Sequence, residues 1–103
     1  MLSVVLVSRD TAWALALARI PRDGQAALHV VLLDASAASA RASHPCAARI
    51  REALTAGVVV SVHDEAALRR GMTTADVVEG VKIVDLDEIA DVVADAPGTV
   101  MWL

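Results

Sequence analysis

Five short aliphatic runs, rich in β-branched residues, recur along the chain, at 2–7, 27–34, 58–62, 81–84 and 99–102. Segments of helical length and pattern separate them. Strands that are apolar on both faces must be covered on both faces, as in a parallel sheet clothed by crossover helices. The alternation therefore predicts an α/β fold: a three-layer α/β/α sandwich with a mainly parallel five-stranded sheet. At 103 residues this is expected to be a single domain, 1–103.

The helical segments carry their own start and stop signals. Asp10 caps a helix over 11–20, on which Trp13, Leu17 and Ile20 form one apolar stripe, and Pro21, Asp23 and Gly24 end it. Pro45 suits the first turn of a helix over 45–56 that points Ala47, Ile50 and Leu54 inward and Arg49, Arg51 and Glu52 outward, with Gly57 as its stop. Asp64 starts a short helix ending near Gly71. Asp85 and Glu88 have the spacing of a capping box for a helix over 86–95 with the stripe Leu86, Ile89, Val93. Segment 35–43, built of Ala, Ser and one Arg, reads as a loop or frayed helix.

Composition removes several functions. Hydrophobic residues make up 56%, so the chain can bury a core, but there are two Trp and no Phe or Tyr. The core must be close-packed from small side chains, and stacking platforms for single-stranded nucleic acid are excluded. Nine basic against thirteen acidic residues give a net charge of −4, the wrong sign for direct nucleic-acid binding. No apolar run approaches the roughly 20 residues that span a bilayer, so no membrane association is expected. The start, Met-Leu-Ser-Val-Val-Leu-Val-Ser-Arg-Asp, lacks a basic leader. With one cysteine and no internal disulfide, the expected compartment is the cytoplasm.

In a parallel sheet the carboxyl ends of the strands share an edge, where ligands usually bind. That edge collects Ser8, Arg9 and Asp10, then Asp34 and Ser36, then His63 and Asp64, then Asp85. The turn after the first strand has no glycine, so dinucleotide and Walker-type sites are unsupported. His29, His44, His63 and Cys46 have no metal-ligand spacing, and no metal or other cofactor is expected. A receiver-type phospho-acceptor site fails as well, because position 63 is His and the only Lys, Lys82, lies inside the fourth strand. His29 reads as a packed or edge histidine, and Asp34, Asp64 and Asp85, which resemble an acidic pocket, read as caps of the turn or helix that follows each. Cys46, placed in the first turn of a helix, would meet free N–H groups and the positive end of the helix dipole. His44 lies two residues before it and Arg49 three residues after, and such neighbours would favour a thiolate. The competing expectation is a cysteine that only fills space. His63 beside Asp64 could bind an anion or shuttle a proton, or could be a solvent-facing or interface histidine.

The second half resembles a known family. The run Ala53-Leu54-Thr55-Ala56-Gly57-Val58-Val59-Val60-Ser61-Val62-His63-Asp64-Glu65-Ala66-Ala67-Leu68-Arg69-Arg70-Gly71-Met72 is similar to the central block of the DsrE/DsrF/DsrH (TusD/TusC/TusB) sulfur-relay family. The run Glu79-Gly80-Val81-Lys82-Ile83-Val84-Asp85-Leu86-Asp87-Glu88-Ile89 is similar to the stretch after it. The closing Val100-Met101-Trp102-Leu103 resembles the tryptophan-bearing tail of the DsrH/TusB branch. The likeness covers about residues 50–103; residues 1–34 share only a generic strand–helix–strand. It implies an α/β/α fold, assembly into hetero- or homo-oligomers, and passage of persulfide sulfur between cysteines for tRNA 2-thiouridine synthesis or sulfur oxidation.

In the sulfur-carrying DsrE/TusD branch the cysteine lies just after the third strand, and that position here is His63. Some DsrH members place a cysteine after the first strand, and the Ser8–Thr11 turn has none. The expected function is thus a DsrH/TusB-like relay subunit whose partners are other DsrE-family chains or itself. Cys46 is the only side chain able to hold a persulfide, with His44 and Arg49 stabilising the anion, and Trp102 is an interface residue. The alternatives are a non-enzymatic assembly or regulatory module on the same fold, or a small-molecule binder using the His63, Asp64 and Asp85 edge.

Overall fold

The computed structural model describes residues 1–20 and 27–103. The expected helix terminators Pro21, Asp23 and Gly24 lie outside the described residues. In chain order the elements are β1 (Leu2–Val7), α1 (Thr11–Ala18), β2 (His29–Leu32), a 3-10 helix (Asp34–Ala40), α2 (Ala47–Thr55), β3 (Val59–His63), α3 (Asp64–Arg69), a 3-10 turn (Thr74–Asp76), β4 (Lys82–Val84), α4 (Leu86–Ala94) and β5 (Thr99–Trp102). The five strands form one sheet in the order β4-β3-β2-β1-β5, every neighbour parallel. This is the α/β/α sandwich that the strand pattern predicts. No helix among the described residues is long and apolar enough to cross a membrane.

The two faces are covered unequally. Val5, Val7, Val30, Leu32, Val60 and Val62 pack with buried residues of α1, α2, α3 and the first 3-10 helix. Val4, Leu6, Val31 and Val84 on the other face meet Ile89, Val92 and Val93 of α4 and the following Ala96. Most residues of the two clusters are valine or alanine, so the layers approach closely and tolerate little change in volume.

The caps of α1 and α4 fall where the sequence places them, whereas neither Asp34 nor Asp64 is the N-cap of the helix it begins. The Asp10 carboxylate accepts the Trp13 N–H at 3.1 Å. Asp85 accepts the Glu88 N–H at 2.8 Å while Glu88 accepts the Asp85 N–H at 3.4 Å. Gly57, at φ +90, stops α2 in a conformation that costs other residues strain. Strand and helix ends shift by one or two residues from the expected bounds.

Four expectations need correction. The stripe Trp13, Leu17, Ile20 does not face the core: Trp13 is 55% and Ile20 58% exposed, and the buried face is Thr11, Ala14, Leu15 and Ala18. The α1 sequence is apolar almost all round, so it lacks the polar face that normally orients a helix. Alanines on the inner side let it sit close to the sheet, and buried Thr11 satisfies its hydroxyl on Ser39 Oγ at 2.9 Å. Leu86 is 67% exposed; Ile89 and Val93 alone of its stripe turn inward. Pro45 lies in the turn before α2, and Cys46 is the N-cap rather than a first-turn residue. Segment 35–43 is mostly ordered as the first 3-10 helix, because Ser36, Ala37, Ser39 and Ala40 are small enough to be buried there.

Candidate functional site

The carboxyl edge of the sheet gathers the expected residues, but not into one site. With β5 beside β1 and β2 on its other side, the chain reverses direction between β1 and β5, the usual ligand crevice of such a sheet. Here the chain's own backbone fills it. Leu103 N–H donates to Leu6 O at 2.7 Å, and Ser8 and Arg9 N–H donate to Leu103 O at 3.2 and 3.3 Å. Above this, Trp102 Nε1 donates to Ser8 Oγ at 2.7 Å. Trp102 is therefore anchored by its polar atom while 66% of the residue stays exposed. The sequence holds no local signal for this pair, whose members are 94 positions apart.

His63 and Asp64 do meet, at 3.5 Å between Nε2 and the carboxylate. They line a cleft of about 230 Å³ with Glu65, Asp85, Leu86 and Asp87. Its carboxylates are largely engaged nearby: Asp64 accepts the Glu65 N–H at 2.6 Å, Asp85 caps α4, and Glu65 faces Arg69 at 3.5 Å. Among the described residues, no three His, Cys, Asp or Glu side chains are placed to hold a metal ion. The turn after β2 begins with Asp34 at φ +47 and carries no side-chain cap.

Cys46 sits at the N-terminal end of α2, half-buried against the larger core cluster. Its backbone N–H donates to His44 Nδ1 at 3.0 Å. In this bond His44 Nδ1 serves the backbone amide of Cys46 rather than its sulfur. Arg49 points to the seam of α1 and α2, where it lines a cavity of about 130 Å³ with Leu15, Ala16, Arg19 and Glu52. The three residues are neighbours in sequence, yet among the described residues no hydrogen bond joins His44 or Arg49 to the Cys46 sulfur.

His29 occupies the α4-covered face, with Nε2 2.8 Å from Ser61 Oγ across the β2–β3 pair. Burial, and secondarily the Lys82 charge, hold its pKa below the ordinary 6.5. Ser61 is fully buried and braces the sheet through this bond, while the half-buried His29 lines a cleft of about 290 Å³ with Ser3, Asp91 and Asp95. The unfolded chain takes up the His29 proton first as pH falls, so this group lowers stability from about pH 6.5 downward and is without effect above it. We expect the urea midpoint to drop between pH 7.5 and pH 5.5, and His29→Gln to flatten that drop. An unchanged slope in the variant would assign the pH dependence to other groups.

No protein-family model matches the sequence, and no curated protein matches it. Solved structures do. The ychN protein from E. coli superposes with a TM-score of 0.74 at 22% identity, over 100% of both chains. MTH1491 from Methanobacterium thermoautotrophicum, described as a protein of unknown function, superposes with a TM-score of 0.79 at 17% identity, again over 100% of both chains. At these identities the likeness shows the fold alone, the α/β/α sandwich described above.

Proposed function

We propose that this chain is an assembling subunit of a DsrE/DsrH-type sulfur relay, closest to the DsrH/TusB branch, working in the cytoplasm. In this reading it holds the relay together and does not itself carry sulfur. The observation that carries the reading is the anchored, two-thirds exposed Trp102, an aromatic fixed in place yet uncovered. Interfaces are enriched in such residues, because an immobilised ring has little entropy left to lose on docking. The further exposure of Trp13, Ile20, Leu68 and Leu86 agrees with a surface that is covered in the working state. Its partners are copies of itself or other chains of the same family, and the relay it serves delivers persulfide sulfur for tRNA 2-thiouridine synthesis or sulfur oxidation. His63 at the end of β3, where the carrier branch of the family has cysteine, supports the non-carrier role.

A second reading makes Cys46 the carrier. Its partial exposure and its place at a helix N-terminus favour it. Mass spectrometry after incubation with a persulfide donor separates the two. The assembling reading expects no reducible gain of about 32 Da, one sulfur, on the wild type beside a reactive thiol control. A gain in the wild type that is absent from Cys46→Ser would replace it with the carrier reading.

A further inference from the structure

The two edges of the sheet differ in a way that bears on self-assembly. At one edge β4 has three residues and carries the exposed Lys82, a common guard against edge pairing. At the other edge β5, Thr-Val-Met-Trp, has no charge, no proline and no residue that is buried. Thr99 N–H and Leu103 N–H both point at β1, bonding Met1 O and Leu6 O. By the alternation of a strand, the N–H and C=O groups of Val100 and Trp102 point away from it. Among the described residues nothing bonds them.

Resting on the assembling reading above, we infer that β5 pairs antiparallel with β5 of a second copy, joining two sheets into one of ten strands. The two-fold axis passes through Met101. Val100 and Trp102 of one copy exchange backbone hydrogen bonds with Trp102 and Val100 of the other, which makes the contact self-complementary. Val100 and Trp102 register with Val4 and Leu6 and so lie on the α4 side of the sheet. Across the junction they form aromatic–aliphatic pairs, a favourable cross-strand combination.

Met101 registers with Val5 and lies on the α1 side. The flank of α1 that faces α2 carries Leu15, Ala16 and Arg19, so its Trp13–Leu17–Ile20 stripe turns away from α2, outward and toward the β5 edge. Trp13, Ile20, Val100, Met101 and Trp102 are 36–66% exposed. Together they offer on the order of 500 Å² of apolar surface per copy, or about 1,000 Å² for the pair, the lower bound of a specific interface. A second copy is the favoured occupant because the strand is uncharged: chains of net charge −4 repel unless they meet through a neutral strip.

The test uses the full chain and two variants read by different methods. Val100→Pro removes an outward N–H and leaves the β1 ladder intact. It should bring the light-scattering mass from twice 10.7 kDa down to 10.7 kDa, with the circular dichroism spectrum retained. Met101→Cys in a Cys46→Ser background should form a disulfide-linked dimer under oxidised glutathione, since residues facing each other across the axis lie within about 4.5–5.5 Å between Cα atoms. Val100→Cys in the same background should not, because its partner is Trp102. If Val100→Pro unfolds, the cross-link decides. An oligomer that survives Val100→Pro, with no Met101→Cys cross-link, overturns the β5 pairing and leaves the assembling reading standing. A wild type that is monomeric throughout overturns both.

Discussion

Gly98→Ala is expected to unfasten β5 from β1 and to lower folding stability by about 1–3 kcal/mol, the usual cost of overpacking a tight site. The reason is clearance, since Gly98 has no positive φ to protect. A Cβ at this position would overlap the carbonyl oxygen of Met1 and come within 2.7 Å of Ser3 Oγ. The Met1 oxygen is backbone, and it already accepts the Thr99 N–H at 2.6 Å. Relief therefore requires moving the start of β5 and weakening the bond that seats it. Trp102 rides on that strand, so the same substitution should also reduce assembly. Ser3→Ala is the informative companion, because the Ser3 hydroxyl is buried without a partner and its removal should be neutral or stabilising. Urea unfolding reads both. A Gly98→Ala midpoint equal to the wild type would show that the Pro97–Gly98 turn has room that the structure denies it.

Trp102→Asp should have the larger effect on association and a small one on folding. An anchored interface tryptophan commonly contributes about 2–4 kcal/mol to binding, roughly 30- to 1,000-fold in affinity, and a carboxylate in its place adds repulsion between acidic chains. The isolated fold loses little, because the indole is mostly in solvent and makes one side-chain hydrogen bond, to Ser8. Trp102→Phe retains the ring and loses the anchor, so its association should fall between the two. Equal association for all three chains would remove Trp102 from the interface.

Much of this architecture is legible before any coordinates. Five apolar runs with capped helices between them leave few alternatives to a parallel sheet, and Asp10, Asp85 with Glu88, and Gly57 act as their spacing predicts. Orientation is less legible where a helix is apolar all round. In α1 the large residues Trp13 and Ile20 attract the inward assignment, yet the sheet takes the alanines.

The site is less legible still, for two physical reasons. One is distance along the chain: the Trp102–Ser8 bond and the filled crevice join the two ends of the sequence. The other is that proximity in sequence does not fix which atom a side chain serves. His44 is adjacent to Cys46 as the sequence requires, but its ring is spent on the Cys46 amide. A neighbour of the sulfur in sequence is thus a turn-forming acceptor in the fold.

Sedimentation equilibrium of the untagged wild type, from low to high micromolar concentration, bears most directly on the assembling role. The expected result is a mass that rises above the 10.7 kDa of one chain to a whole multiple of it, and falls back on dilution. A single species of 10.7 kDa at every concentration would contradict it.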